Sequence, residues 1–158
     1  MTKILHPIKT LALVFCVVVG AFALYQHFRP VRTIPVSRPA FTQKMSIGKV
    51  KLQVAVADTD ALRGQGLSGT TSLAPTEAML FVFDTPQRPR FWMKDMDFAI
   101  DILWIGQTDR VLDITENADP KDFPQTYAPN TDVMYVLEVP AGFVKANGIH
   151  VGSVLVRK

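Results

Sequence analysis

From residue 43 onward the chain is written in short segments of alternating polarity. Residues 49–56 place Val50, Leu52, Val54 and Val56 on one face and Lys49, Lys51 and Gln53 on the other. That period of two is the signature of a half-buried strand. Gly48 marks a turn from an earlier strand over 43–47. Asp58 or Thr59 can cap a short helix carrying Ala61, Leu62 and Arg63, which Gly64 or Gly66 ends. Residues 67–75 are rich in Ser, Thr and Gly and read as irregular. Residues 78–83 form an unbroken apolar run, a core strand that Thr85 and Pro86 interrupt. Alternation returns over 88–94, and residues 98–105 form a further strong strand. Residues 106–109 make a turn, and 110–116 pair back as a hairpin. A polar loop with three prolines fills 119–132. Strands follow over 133–139 and 151–156, separated by a helical turn between Pro140 and Gly148.

Six or seven strands with two short helices exclude a helix bundle. The helices are too few for a doubly wound parallel sheet. The pattern predicts an α+β domain: a mainly antiparallel, curved sheet or small β-barrel.

The N-terminus follows a different pattern. Residues 11–25 carry no charge, Lys3 and Lys9 precede them, and His27, Arg29 and Arg32 follow. With their neighbours they approach the roughly twenty apolar residues of a membrane-spanning helix. The stretch also has the length of a signal-peptide core, with Ala21 and Ala23 spaced as for a cleavage site. Both readings place the remaining chain outside the cytoplasm, either anchored or exported. Residues 1–28 are thus an anchor or signal segment. Residues 29–40, with three prolines and three arginines, are an extended linker, and 41–158 are the globular domain.

Composition narrows the function classes. The chain has 158 residues, 48% of them hydrophobic and 20% charged, with a formal net charge of +3. The basic residues form no dense run, so nucleic acid is not an expected partner. The only cysteine, Cys16, lies in the apolar segment, so the globular part forms no disulfide and no thiolate metal site. His150 is the only histidine beyond the linker, which argues against histidine-dependent triads and His-rich metal sites. No cofactor is implied, and a monomer is expected.

Five residues are candidates for a site. On a strand over 88–94, Phe91 and Met93 point one way, while Arg88, Arg90, Trp92 and Lys94 point the other. A tryptophan among cations can hold a small polar or anionic ligand. Asp101 lies in a strand that is apolar on both faces, so it needs hydrogen bonds or a cation, with Lys94 and Arg63 as the expected partners. Glu138 is a second carboxylate in an apolar strand, facing Arg63 or solvent. Three functions remain open: a ligand-binding domain using Arg63, Trp92, Lys94, Asp101 and Glu138; an acid/base enzyme using Asp101 or Glu138; and a structural or assembly domain.

The ordered motifs Arg63-Gly-Gln-Gly-Leu67, Met79-Leu-Phe81, Phe91-Trp-Met-Lys94, Ile100-Asp-Ile-Leu103, Val136-Leu-Glu-Val-Pro-Ala-Gly142 and Gly148-Ile-His-Val-Gly152 resemble the prokaryotic family of domain of unknown function 192. The resemblance covers about residues 47–156. It implies a compact β-rich α+β fold, often exported or preceded by a membrane segment, and no established activity. It adds weight to the same five residues. The chain departs from the family's pattern at Ala78, where glycine is common, and at Ala99-Ile100-Asp101, where Pro-Leu-Asp is common. It also departs at Ser153, where aspartate is common, and in the loop 118–127, which has none of the cysteines many members carry.

Overall fold

The computed structural model describes residues 39–157; the apolar N-terminal segment and most of the linker lie outside the described residues. Among the described residues nine strands and two α-helices follow one another. Strand β1 (Gln43–Ile47) turns at Gly48 into β2 (Val50–Ala57), and the short helix α1 (Asp60–Gln65) leads on to β3 (Glu77–Gln87). After β4 (Phe91–Trp92) come β5 (Ile100–Ile105) and β6 (Val111–Ala118). A 3₁₀ turn at Pro120–Asp122 precedes β7 (Thr126–Tyr127); β8 (Val133–Pro140), α2 (Phe143–Asn147) and β9 (Leu155–Arg157) complete the domain.

Seven strands form one sheet in the order β6-β5-β8-β3-β2-β1-β9. Every neighbouring pair is antiparallel except β2 and β3, which run parallel. A parallel pair needs a crossover, and the segment containing α1 supplies it. The sheet is curled into a half-barrel. Its outer strands approach one another where Arg110 bridges Val154. Backbone hydrogen bonds from Val111 N to Ser153 O (2.9 Å) and from Leu155 N to Asp109 O (2.8 Å) hold that seam. The Arg157–Asp109 ion pair at 2.8 Å adds to it.

The period-two pattern sorts the core into two layers. Residues from the seven strands of the curled sheet, among them Ile47, Leu52, Leu80, Leu103, Val111, Leu137 and Leu155, pack inside the curl with Phe143 and Val144 of α2. The opposite face of the central strands carries Met79, Phe81, Ile102, Trp104 and Val136. Leu67, Met93 and the partly buried Phe91, Met96 and Tyr127 cover it. Strand β5 is buried on both faces along its whole length, as a central strand between two layers must be.

Three expectations are corrected. β3 does not stop at Thr85-Pro86 but continues to Gln87. Its pairing with β8 slips between Val82 and Gln87, and a proline is tolerated where a ladder is already irregular. The strand expected over 88–94 is only two residues long, and it pairs with β7, inside the segment expected to be a plain loop. The last strand begins at Leu155 rather than 151. Residues before it form a turn, in which Ser153 Oγ accepts a hydrogen bond from His150 N at 3.0 Å.

A cavity over Glu138

α1 is built by its ends. The hydroxyl of Thr59 accepts from Leu62 N at 3.3 Å, and Gly66, at φ 53°, closes the helix with its N–H on Leu62 O. A β-carbon at Gly66 would meet the Phe81 ring at 3.4 Å in a backbone region L-residues avoid, so glycine suits this close approach. The helix thereby holds Arg63 against β3. The Arg63 guanidinium donates to Val82 O (2.7 Å) and Asp58 O (2.9 Å) and pairs with Asp60 Oδ1 (2.6 Å). It also lies 5.7 Å from the centre of the Phe83 ring. Arg63 therefore ties α1 to the sheet through three of its five N–H donors.

Across from α1, the 89–96 segment is pinned by aromatic packing. Phe91 meets Phe81 edge-on at 4.7 Å and Trp104 at 5.6 Å. Trp104 is fully buried and donates its indole N–H to Thr115 Oγ1 at 3.0 Å. Between this segment and α1 lies a cavity of about 500 Å³. Phe81, Phe83, Phe91, Met93, Met96 and Ile100 supply apolar wall, Arg63 and Arg90 line it, and Trp92 stands at its rim, 54% exposed.

Glu138 also lines this cavity. β8 is not an edge strand: it lies between β3 and β5, so Glu138 sits directly across from Met79 on one side and Ile102 on the other. Both neighbours are apolar and buried. Oε2 of Glu138 is buried without a hydrogen-bond partner. Removal from water disfavours the charged form, and burial pushes this carboxyl up to about 8. At neutral pH Glu138 therefore holds a proton, a neutral acid facing a cavity.

The structure brings together Arg63, Trp92 and Glu138, and separates the other two candidates from them. Lys94 lies outside the cavity lining. Its Nζ is 5.9 Å from the centre of the Trp92 ring, and its carbonyl accepts from Ser68 Oγ at 2.9 Å. Trp92 also packs against Phe123, with ring centres 6.1 Å apart.

Asp101 is fully buried as expected, but the ion pair expected with Lys94 or Arg63 is not formed, and it does not share a pocket with Trp92. It points to the inner side of the sheet, with Leu103 and Ile105, and its carboxylate accepts two backbone N–H groups. Val144 N donates at 3.0 Å and Asn117 N at 2.9 Å. Each donor belongs to an irregular stretch of backbone. α2 starts at Gly142, which has no side chain to cap it, so Asp101 caps the helix from a distant strand. Asn117, at φ 53°, sits in a bulge where β6 has an extra residue opposite β5. Asp101 is thus a cap for two irregularities.

Sequence reasoning missed the apolar wall, because Phe81, Phe83, Met93, Met96 and Ile100 read as ordinary core. The signal was available in part: Glu138 falls on the same strand face as Val136, where solvent has no claim.

The fold and this cavity define a β-rich α+β domain: a curled half-barrel sheet with a pocket on its outer face. The chain belongs to the family of domain of unknown function 192, described as "Uncharacterized ACR", whose model matches residues 42–156. No curated protein matches the chain. Solved structures similar to it include a candidate transcription regulator from Sinorhizobium meliloti 1021, at 28% identity and TM-score 0.70, with 77% of this chain and 98% of that chain covered. Another is a protein of unknown function from Novosphingobium aromaticivorans DSM 12444, at 28% identity and TM-score 0.67, with 71% of this chain and 82% of that chain covered. Among the described residues no helix is long and apolar enough to cross a membrane.

Proposed function

We propose that this domain is a small-molecule binding module, held at the outer face of the membrane by residues 1–28, whose ligand seats in the cavity over Glu138. The observation that carries the reading is the buried, unpartnered Oε2 of Glu138 beside a cavity of about 500 Å³. An unsatisfied buried oxygen costs about 1–3 kcal/mol, and a ligand that hydrogen-bonds it recovers that cost on binding. The volume suits a small ligand. Of the polar or anionic ligands expected from sequence, this geometry favours the polar, non-anionic kind. Lys94 stands outside the lining, and Arg63 is engaged with Asp60 and two carbonyls.

The two tryptophans make the test direct. Trp104 is fully buried, whereas Trp92 stands exposed at the cavity rim. A small-molecule library screened on the full-length protein should yield compounds that shift the exposed component of tryptophan emission to the blue. The same compounds should raise the melting temperature. Trp92→Phe should remove the emission change and keep the thermal shift. Glu138→Leu should abolish both. If no compound moves either signal, or if Glu138→Leu binds as well as the parent protein, the site is elsewhere.

A protonated carboxyl at a cavity is also a general acid, so acid/base catalysis by Glu138 is the second reading. Turnover of a bound compound that stops in Glu138→Gln while binding persists would establish it.

Placement outside the cytoplasm rests on residues 11–25. The full-length protein should remain with the membrane fraction through carbonate washing. Its recovery in the soluble cytosolic fraction would refute the anchor.

A further inference from the structure

We propose that the occupant of this cavity is a small organic monocation, an ammonium group on an apolar body, with its charge against Glu138 and its body among Phe81, Phe83, Phe91 and Trp92. This rests on the small-molecule reading above and narrows it.

A buried ionised carboxylate needs a cation or hydrogen-bond donors, as Asp101 finds in two backbone N–H groups; among the described residues Glu138 Oε2 has neither. Its cross-strand neighbours Met79 and Ile102 offer no charge. The other charged groups lining the cavity are Asp60 and Arg63 from α1, Asp84 from β3, and Arg90 before β4; β5 contributes Ile100. Asp60 and Arg63 neutralise each other as an ion pair at 2.6 Å. Asp84 and Arg90 carry opposite single charges, and Arg90 is directed onto Thr126 Oγ1, with donors at 3.1 and 2.8 Å. With Glu138 ionised, the lining holds three carboxylates against two guanidiniums. The uncompensated charge is one negative, at the buried end.

The walls favour the same occupant. Aromatic faces attract cations, and the Arg63 guanidinium near the Phe83 ring already uses that attraction here. An anion would face Glu138 instead of pairing with it. An inorganic cation fits poorly, since among the described residues no three His, Cys, Asp or Glu side chains cluster as metal ligands. An ammonium on an apolar body satisfies both the oxygen and the rings.

Binding a cation requires the ionised carboxylate, so the proton on Glu138 leaves to solvent as the ligand enters. One proton is released per ligand bound, and affinity rises with pH until the carboxyl is fully ionised.

A matched pair of probes tests this on the full-length protein: phenethylamine and 2-phenylethanol, by titration calorimetry at pH 6, 7 and 8. Phenethylamine should tighten by up to about tenfold per pH unit over that range. Near pH 7, buffers of differing ionisation enthalpy should report release of close to one proton. 2-Phenylethanol should bind more weakly at pH 8 and show no such rise. Glu138→Gln should lose the pH dependence and weaken phenethylamine at pH 8 by about tenfold or more. If 2-phenylethanol binds as tightly as phenethylamine at pH 8, the cation is overturned and the cavity reading stands. If phenethylamine binding is independent of pH or weakens as pH rises, the cation is likewise overturned. If neither probe binds at millimolar concentration, the cation is overturned, and the library screen then decides the cavity itself.

Discussion

Asp101→Asn should lower the melting temperature of the full-length protein by roughly 10 °C, from a loss of about 3 kcal/mol. The wild-type carboxylate accepts Val144 N through one oxygen and Asn117 N through the other, and it is fully buried. An amide keeps one acceptor and turns an N–H₂ toward the second donor. One charge-assisted hydrogen bond is lost and a buried N–H is left facing another donor. The damage should be local before it is global. In hydrogen exchange, the amides of Asn117 and Val144 should lose protection ahead of the rest of the sheet. A variant melting within about 1 °C of the wild type would show that water satisfies both amides and that Asp101 is no cap. Ligand binding in the outer cavity should survive the substitution in whatever fraction remains folded, because Asp101 faces the other side of the sheet.

This residue also shows where sequence reading ended. The strand over 98–105 announces a buried aspartate, since both of its faces are apolar. The sequence pattern does not say that the partners are two main-chain amides, because those amides become unpaired only through tertiary structure. The bulge at Asn117 appears when β6 is laid against β5, and the uncapped start of α2 depends on Gly142 adopting φ 80°. A cationic partner was the natural expectation, and it failed because backbone donors are invisible to a search for charged side chains.

Elsewhere the local code was sufficient. Alternation from Val50 to Val56, the turn at Gly48, Thr59 ahead of α1 and Gly148 behind α2 each specify their element through neighbours a few residues away. The β4–β7 ribbon could not be read in that way. Two residues on each side give no periodicity, and Phe91–Trp92 joins Thr126–Tyr127 only because the sheet beneath brings distant segments together. The site divides along the same line. Arg63, Trp92 and Glu138 were legible as unusual residues. Their convergence, and the separation of Lys94 and Asp101 from them, depends on which face each strand turns to the cavity and on β8 being central.

Glu138→Gln should make the protein more stable at pH 8 by about 3–5 kcal/mol and leave it nearly unchanged at pH 4.5. The direction follows from where the proton is held. In the unfolded chain the carboxyl ionises at its ordinary value of 4.5; in the folded protein burial raises it to about 8. Below pH 4.5 both states are protonated, and the residue places no electrostatic demand on folding. Between pH 4.5 and 8 the unfolded chain gives up its proton while the native state keeps it. Each pH unit then costs the native state about 1.4 kcal/mol. Above pH 8 both states are ionised and the full cost persists. Glutamine carries no such proton, so the difference between the two stability curves should open through this window and then stay level. Urea unfolding of both full-length proteins at pH 4.5, 6 and 8 measures that difference directly. Parallel curves would mean that Glu138 ionises freely in the folded protein, and the cavity would then lose its neutral acid. A widening gap would mean that the wild type retains a glutamate that weakens its fold. Such a trade is expected of a residue kept for what it binds rather than for what it stabilises.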